Sequence, residues 1–400
     1  MDALQGVTIL DFSSHIAGPY CTKLLADLGA RVIKVERPGG DPARNLPPFL
    51  GGDPGPDRSA TFQYLNTNKE SVVLDLKRPE ARDVVRALVQ RADLVVTASP
   101  PRVEKALGID YATLSGYRDI PVVAITNFGH EGPYRDYSLD DLVVYAMGAE
   151  MYSHGLLHRE PLKLGGTAAT LQCGAMAAVA AMGALTAYEV HGVGQLVDVP
   201  CFNVQVNNID RRSSSILAYR FSGRVQDRPA SHISGLAGGI YPVADGYVEI
   251  AALPGTYWRR FVEMIGDESL KDPALDSPLA ALQPGAREAV DAIVIPWMLE
   301  RTRAEVWEAA REHHVMCGPL YTGLDLWNDE NFRERGLWTT IQHPELGELP
   351  MLGRPYIFEK TPWRIRSAAP RLGEHTRTIL QEAGFEPAAI DTLAASGVIA

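Results

Sequence analysis

The stretch from residue 162 to residue 199 constrains the fold of this chain more than any other. A Gly-rich turn leads into about five helical turns of small apolar residues, and after Gly192 and Gly194 a period-2 run at 195–199 predicts a strand. A helix built from Ala, Gly and Met allows the backbone of a neighbouring element to approach closely. Its first turn also offers unpaired N–H groups that favour an anion. The stretch therefore predicts a tightly packed helix that leads into a sheet.

Thr170 lies where this helix is predicted to begin. Thr is a preferred N-cap residue, since its hydroxyl accepts a hydrogen bond from a backbone N–H two or three residues further on. A residue in this place can also take part in chemistry, because the amino end of a helix stabilises negative charge. The residue type alone favours the N-cap role.

The first 130 residues alternate between strand and helix patterns. This alternation favours an α/β fold with a parallel sheet. The first turn, SSHIAG at 13–18, lacks the Gly-x-Gly-x-x-Gly pattern that the close approach of a dinucleotide requires, so the sequence argues against NAD. Strands are predicted at 7–12, 31–36, 71–76, 94–98 and 121–127, and helices at 19–28 and 79–91.

The second half of the chain has a different pattern. After a polar linker near residue 225, the sequence predicts a hairpin at 239–250 and helices at 257–265, 286–299 and 303–314. Prolines then indicate an extended strap, with one more helix at 374–383 that we expect to pack back onto the first domain. The predicted domains are a large domain in residues 1–225, a smaller α+β domain in 226–330, and a C-terminal strap and helix in 331–400 that return to the large domain.

Composition argues against several classes of function. The chain has 400 residues and a formal net charge of −11, so on average it repels the backbone of a nucleic acid. Its four cysteines form no CxxC pair, which is typical of buried reduced thiols and not of a zinc site. The sequence has no run of eighteen apolar residues without charge, so we expect no membrane-spanning helix. We also expect no amino-terminal signal peptide. We therefore expect a cytoplasmic protein that binds no metal, nucleic acid or membrane.

Familiar catalytic motifs are missing from the sequence. It has no Gly-x-Ser-x-Gly elbow, no Walker loop and no His-Glu-x-x-His. Two adjacent acids, Asp140 and Asp141, follow a turn cluster at 127–134. Adjacent carboxylates are more often helix-start residues than a catalytic pair, because consecutive side chains on a helix diverge. Composition and motifs alone thus predict a two-domain α/β enzyme and no particular reaction.

A series of segments spread over nearly the whole chain is more specific. The segments are GVTILDF (6–12), AGP (17–19), DLGARVIKVE (27–36), NKESVVLDLK (68–77), FG and GPY (within 128–134), GVGQLVDV (192–199), YP and ADGYV (within 241–248) and APRLGEHT (369–376). In this order they resemble family III CoA-transferases, the family of formyl-CoA transferase, carnitine CoA-transferase and α-methylacyl-CoA racemase.

The resemblance implies a fold and a reaction. The implied fold is a Rossmann-like large domain built from both chain ends, a smaller middle domain, and two subunits interlocked as a ring-like dimer. The implied reaction starts when an Asp at a helix start attacks an acyl-CoA to give an acyl anhydride, which coenzyme A converts into an aspartyl-CoA thioester. An acceptor carboxylic acid then resolves the thioester. Coenzyme A is thus implied as part of the substrate, bound on the large domain.

The resemblance also implies the contacts with coenzyme A. The turn after the first strand supplies His15 and Ile16, and the loop after the second strand supplies Arg37. A basic residue of the family is Ala106 here, and Lys105 or Arg102 is a candidate to replace it. The implied contacts are His15, Ile16, Arg37, Leu74, Lys77, Lys105 and Asp140.

This chain departs from the family at the nucleophile, because the position of the catalytic Asp is Thr170. A threonine cannot form an anhydride, and an ester of its hydroxyl is too stable to exchange with coenzyme A. We therefore predict a subunit of a heteromer whose paralogous partner supplies the Asp and which moves CoA from an acyl-CoA, for example succinyl-CoA, to a carboxylic acid. Two alternatives stay open. One is a homodimeric transferase, isomerase or racemase-like enzyme with altered chemistry, in which Asp140 reacts, and the other is a CoA-thioester-binding protein without turnover.

Overall fold

The computed structural model describes residues 1–55, 57–207, 210–225, 228 and 235–400. The chain divides into two compact units, each with its own hydrophobic core. The larger unit comprises Met1–Tyr152, Lys163–Val225 and Arg333–Ala400, and the smaller unit comprises Ser153–Leu162 and Gln226–Phe332.

The elements follow in chain order. The strands are β1 Thr8–Asp11, β2 Arg31–Glu36, β3 Lys69–Val73, β4 Leu94–Thr97, β5 Val122–Thr126, β6 Leu196–Pro200, β7 Ala237–Val243, β8 Gly246–Ala252, β9 Met316–Pro319, β10 Trp338–His343 and β11 Gly347–Leu352. The helices are α1 Ala17–Ala26, α2 Ala60–Leu65, α3 Ala81–Val89, α4 Pro101–Leu107, α5 Tyr111–Ser115, α6 Asp141–Met147, α7 Glu150–Ser153, α8 Ala168–His191, α9 Cys201–Asn207, α10 Asp210–Ser222, α11 Thr256–Ile265, α12 Ala286–Leu299, α13 Arg303–Glu312, α14 Gly323–Asn328, α15 Glu330–Glu334, α16 Thr376–Glu382 and α17 Pro387–Ala395.

Strands β1 to β6 form one sheet in the order β3-β2-β1-β4-β5-β6, and every neighbouring pair is parallel. Its central strands are continuous apolar runs because both faces of the sheet are covered. The order in which strands are added to the sheet reverses between β1 and β4, and the carboxyl ends of the strands at such a point form a crevice suited to a ligand. The predicted α/β fold with a parallel Rossmann-like sheet is confirmed.

Helix α8 runs for 24 residues beside this sheet and packs closely on α1. A Cβ atom added at Gly174 would lie 2.4 Å from the carbonyl oxygen of Ala17, so a larger residue fits there only if one of the two helix backbones moves. The helix ends at Gly192, whose φ of 66° is the left-handed conformation that favours Gly at a helix end. The close approach predicted from the small residues of α8 is confirmed.

The beginning of α8 differs from the sequence-based prediction. The residue that precedes the helix is Thr167, and Thr170 is its third residue. The predicted N-cap role of Thr170 is therefore wrong. The helix extends three residues further back than its cap signal suggested. Thr170 is a donor here, because its backbone N–H and its hydroxyl both donate to the carboxylate of Asp141.

The smaller unit has the predicted hairpin at its centre. Strands β7 and β8 pair antiparallel around a turn at Asp245, and β9 adds to the other edge of β8. Helices α11, α12 and α13 contribute apolar side chains to the core against this sheet, among them Phe261, Val294 and Val306. The three predicted helices agree with these elements to within two residues at each end, since each has a clear apolar face.

The last part of the chain contains more regular secondary structure than the predicted extended strap. It contains the β10–β11 hairpin, and a second helix, α17, follows the predicted one. The chain then pairs with the segment after β3, where the backbone N–H of Asp75 donates to the carbonyl of Val398 at 2.8 Å and Leu74 pairs with Ile399. The sequence-based prediction missed the hairpin and α17, because the prolines around them masked both patterns.

Helix α8 also qualifies a second expectation. Its length and a mean hydropathy of 1.5 over eighteen residues are sufficient for a membrane span, which the sequence was not expected to contain. The buried face of α8 belongs to the core of the larger unit, as in the core helices of globular proteins.

The cysteines are free thiols, with Cys21, Cys173 and Cys201 buried and Cys317 half-buried.

Candidate active site

A cleft of about 590 Å³ opens at the carboxyl ends of β1, β2 and β3. Its walls are the turn after β1, the loop after β2, the segment after β3 and the end of α4. Four of the residues predicted to contact coenzyme A line it, namely His15, Arg37, Leu74 and Lys77. These residues are far apart in sequence, and the parallel sheet brings them together because the carboxyl ends of its strands share one edge.

The turn that carries His15 is held in place by Asp41. His15 has a φ of 66°, a left-handed conformation that is unfavourable for a residue with a side chain. Its backbone N–H donates to Asp41 Oδ1 at 3.0 Å, and Asp41 Oδ2 lies 2.8 Å from Lys34 Nζ. Burial acts to raise the pKa of Asp41, but Lys34 together with the backbone N–H groups of Ala43 and His15 lowers it. The cleft therefore has a fixed rim next to β1.

A buried ion pair underlies the same loop. Arg44 donates from Nε and from one terminal nitrogen to the two carboxylate oxygens of Glu36, at 2.8 and 2.7 Å. The hydroxyl of Ser71 on β3 donates to Glu36 at 2.6 Å. Burial acts to raise the pKa of Glu36, and Arg44 and Lys34 together lower it, so the carboxylate stays ionised. This bidentate pair fixes the geometry of the loop after β2.

The sequence-based analysis missed this supporting network. The signal was present, because Lys34 and Glu36 are charged residues inside an otherwise apolar buried strand, and Asp41 and Arg44 follow within eight residues. Charged side chains on a strand with two covered faces must find partners inside the protein. The partners were not predictable, because they depend on how the loop after β2 folds back.

Two exposed cations lie at the edge of the cleft. Arg37 follows β2 and donates from Nε to the carbonyl of Gly40 at 3.1 Å, and Lys77 follows β3. Both side chains line the cleft and are open to solvent. Arginine and lysine at the mouth of a cleft are suited to bind the phosphates of a nucleotide-containing ligand.

The other predicted contacts lie elsewhere. Among the described residues that line the cleft, neither Lys105 nor Asp140 is found. Lys105 is exposed on α4, and the carboxylate of Asp140 accepts from the backbone N–H of Val143 at 2.8 Å and so caps α6. Ile16 is buried and faces a second pocket.

The second pocket, of about 310 Å³, lies next to the first turn of α8. In the described part of the chain it is lined by uncharged side chains only, namely Ile16, Pro48, Ala60, Thr61, Tyr64, Leu65, Thr167 and Leu171. Thr167 and Leu171 flank Thr170 in sequence. Thr170, for which the resemblance predicts the nucleophile position, thus lies between two residues that line an apolar pocket.

The residue that contacts Thr170 is Asp141. Both the backbone N–H and the hydroxyl of Thr170 donate to Asp141 Oδ1 at 2.8 Å, and Lys163 Nζ lies 2.6 Å from Asp141 Oδ2. A carboxylate is therefore held at the amino end of α8 by a backbone amide, a hydroxyl and an ammonium group, which is where helix dipoles stabilise negative charge. The sequence-based analysis named Asp140 as the candidate acid, and the structure brings its neighbour to Thr170 because Asp140 is used as the helix cap.

Comparison with known proteins agrees with this geometry. The profile of the family described as CoA-transferase family III matches residues 4–376. Subunit BbsE of the succinyl-CoA:(R)-benzylsuccinate CoA-transferase of Thauera aromatica is 30% identical over 404 aligned positions, which cover 98% of this chain and 97% of that protein. The succinyl-CoA–D-citramalate CoA-transferase of Chloroflexus aurantiacus is 30% identical, with 95% of this chain and 93% of the relative covered.

Among solved structures, a CAIB/BAIF family protein from Brucella suis superimposes with a TM-score of 0.84 at 29% identity and covers 96% of this chain and 99% of its own. The family match, the relatives and the shared fold extend over both units of the chain. The chain therefore belongs to the family III CoA-transferases, enzymes whose substrates are CoA thioesters and carboxylic acids.

Proposed function

We propose that this chain is the subunit of a heteromeric family III CoA-transferase that does not carry the nucleophile, and that a paralogous partner supplies the catalytic Asp. The observation that carries the proposal is Thr170. Its hydroxyl occupies the nucleophile position implied by the family resemblance and is engaged with Asp141 at 2.8 Å. A hydroxyl at this position cannot form the acyl anhydride that the family's reaction requires. The relative BbsE is itself named as a subunit, which supports the heteromer.

The reaction of the complex follows from the chemistry of an anhydride. The partner's carboxylate attacks the acyl-CoA carbonyl, the carbon–sulfur bond breaks, and the CoA thiolate leaves. The thiolate attacks the aspartyl carbonyl of the anhydride and releases the first acid as a carboxylate. The acceptor carboxylate then attacks the aspartyl thioester, expels the thiolate and forms a second anhydride. The thiolate attacks the acceptor carbonyl of this anhydride, which gives the new acyl-CoA and releases the aspartate as a carboxylate. In this chain the Thr170 ester would be a low-energy product that the thiolate cannot reopen.

Exposed apolar side chains on α8 support a partner subunit. Met176, Val179, Met182 and Val190 follow each other at helical spacing, and Val179 and Val190 are 66% and 65% exposed. An apolar stripe of this length on one face of a helix is typical of a surface that another protein covers. We assign this stripe to the contact with the paralogous subunit within an interlocked dimer.

The buried free thiols agree with a cytoplasmic enzyme, since thiols stay reduced in that compartment.

The 590 Å³ cleft is the proposed coenzyme A site of this subunit. We place the phosphates of coenzyme A against Arg37 and Lys77, and the turn at His15 against the rest of the molecule. The apolar pocket beside Thr170 is suited to the apolar or aromatic part of an acceptor acid, because the described residues that line it carry no charge. Succinyl-CoA is the proposed donor, since both relatives described above are named for it.

The test is to purify the chain alone and after co-expression with its nearest genomic paralogue, and to assay transfer from succinyl-CoA to a panel of carboxylic acids. We expect activity only in the co-purified pair, and loss of that activity when the partner's aspartate is changed to Asn. In the chain alone, Thr170→Asp is expected to create transferase activity, whereas Thr170→Asn, which has the same shape and no nucleophile, is not. Activity of the unaltered chain by itself would contradict the proposal.

A second candidate function rests on Asp141. Its carboxylate is held by Thr170 and Lys163 at the amino end of α8, so a homodimer could use it as the reacting or proton-transferring group. In that case the chain alone would turn over acyl-CoA, Asp141→Asn would abolish the activity, and Asp140→Asn would only weaken the cap of α6. A chain that binds coenzyme A and shows no turnover in either preparation would be the third alternative, a CoA-thioester-binding protein.

A further inference from the structure

His130 lies at the carboxyl ends of β5 and β6, between two carboxylates. Its Nδ1 is 3.2 Å from Asp198 Oδ1, and its Nε2 is 3.6 Å from Glu104 Oε2. The backbone N–H of His130 donates to Asp198 Oδ2 at 2.7 Å, and the hydroxyl of Thr126 donates to Asp198 Oδ1 at 2.7 Å. The backbone of His130 is thus fixed by β6, and its side chain faces α4.

Glu104 makes this arrangement unusual. Its side chain is only 2% exposed, and one carboxylate oxygen has no hydrogen-bond partner among the described residues. Within the described ranges, His130 is the cation at ion-pair distance from Glu104. A buried carboxylate without a compensating charge is strongly unfavourable, so Glu104 depends on His130.

The His130 imidazole is protonated, as the buried carboxylate of Glu104 requires. The neighbouring carboxylates of Asp198 and Glu104 raise the pKa of His130 to about 9, and partial burial opposes them only in part. His130 is therefore an imidazolium at neutral pH, with a proton on each ring nitrogen. The positive charge of His130 compensates the negative charges of Asp198 and Glu104 at the same time. Asp198 also accepts a hydrogen bond from Thr126.

Helix α4 gives this contact a functional consequence. Leu107, the last residue of α4, and Ile109 just beyond it line the proposed coenzyme A cleft. Glu104 lies in the middle of the same short helix, which ends at Gly108 in the left-handed conformation. A short helix has little stability of its own, so its position depends on its side-chain contacts.

We propose that His130 is a positioning residue for coenzyme A binding, which holds α4 as a wall of the cleft by pairing with Glu104 while its own backbone is fixed by Asp198. The inference rests on the proposed function to the extent that the cleft is the coenzyme A site. The residue acts through α4 and is not placed in contact with coenzyme A.

The experiment compares His130→Gln, Glu104→Gln and the double variant with the unaltered chain. Coenzyme A is the probe, its dissociation constant is measured by calorimetry, and the thermal midpoint of each variant is recorded. We expect His130→Gln to weaken binding about tenfold, a size typical of residues that act through a neighbour. Glu104→Gln should rescue it, so that the double variant binds within about threefold of the unaltered chain. His191→Gln, an exposed histidine at the end of α8, is the matched control and should bind normally.

The outcomes separate the inference from the function on which it rests. If the unaltered chain binds coenzyme A and His130→Gln binds it equally well, the positioning role is refuted and the cleft assignment stands. A double variant as weak as His130→Gln would also refute the role, because the defect would then not come from Glu104. Should His130→Gln fail to fold, the double variant decides, and a tenfold loss there refutes the proposal. No binding to the unaltered chain would overturn the cleft assignment together with the inference.

Discussion

The contact between α8 and α1 gives a prediction that the structure makes quantitative. A Cβ atom added at Gly174 would lie 2.4 Å from the carbonyl oxygen of Ala17 and 3.1 Å from the Cβ of Tyr20. Favourable contacts between such atoms occur near 3.5 Å, so Gly174→Ala forces one helix backbone to move by about 1 Å. The obstacle is backbone, and no side-chain rotation relieves it.

The size of the effect follows from two opposing terms. Overpacking a well-packed core destabilises by about 1–3 kcal/mol, and a backbone obstacle places Gly174→Ala near the upper end. Ala in a helix interior is favoured over Gly by about 1 kcal/mol, so the net loss in the free energy of unfolding is about 2 kcal/mol. Gly183→Ala is the matched control in the same helix, because a Cβ there meets no atom within 4 Å. It should stabilise by about 1 kcal/mol.

The assay is urea unfolding followed by far-UV circular dichroism, with hydrogen exchange of peptides from α8 as a local measurement. We expect Gly174→Ala to unfold at lower urea and to exchange faster throughout α8, and Gly183→Ala to do neither. Thr170 precedes Gly174 by about one helical turn, so the shift should also disturb the contact of Thr170 with Asp141. If both variants were equally stable, the inference that α8 packs backbone to backbone on α1 would be wrong.

Three further predictions concern buried charges. Burial acts to raise the pKa of Asp11, but Lys69 and other partners hold it at about 2, below the usual 3.8. Its contribution to the free energy of unfolding, about 2 kcal/mol, is therefore present above pH 4 and lost as the pH falls towards 2. In acid unfolding, Asp11→Asn should lack this part of the dependence of stability on pH. The pKa of His130 is raised from 6.5 to about 9, so its stabilisation is complete below pH 6.5 and lost as the pH rises through 9. The difference in thermal midpoint between the unaltered chain and His130→Gln should therefore shrink between pH 6.5 and pH 9, and a constant difference would contradict the shift. Arg44→Met should destabilise by about 3–5 kcal/mol in urea unfolding, because Glu36 is left buried and unpaired, and an unchanged midpoint would contradict the role of the pair.

Much of the larger unit was predictable from local patterns. The strands β1, β2, β4 and β5 and the helices α1 and α3 were located to within about two residues, because continuous apolar runs and helical periodicity are properties of the local sequence. The hairpin of the smaller unit was found from its Asp245-Gly246 turn for the same reason. Motif segments then identified the family, which the comparisons confirm.

The candidate site was predictable only in part. His15, Arg37, Leu74 and Lys77 were named from segments that resemble the family, and the sheet brings them to one cleft. Asp140 was named where Asp141 is the residue beside Thr170, because the choice between two adjacent acids depends on which one caps α6. Asp41, which holds the turn at His15, was not named at all.

The sequence by itself determined the α/β sheet and the small-residue helix, since each follows from neighbouring residues. It also carries the prediction that Thr170 stands at the position of the family's aspartate, which rests on a single position. The tertiary structure alone decided that Asp141 and Lys163 meet Thr170, and that Glu104 pairs with His130. These partners are between 7 and 29 residues apart in sequence. Their meeting depends on how α4, α6 and α8 pack around the sheet, and packing is a property of the whole core that no local pattern contains.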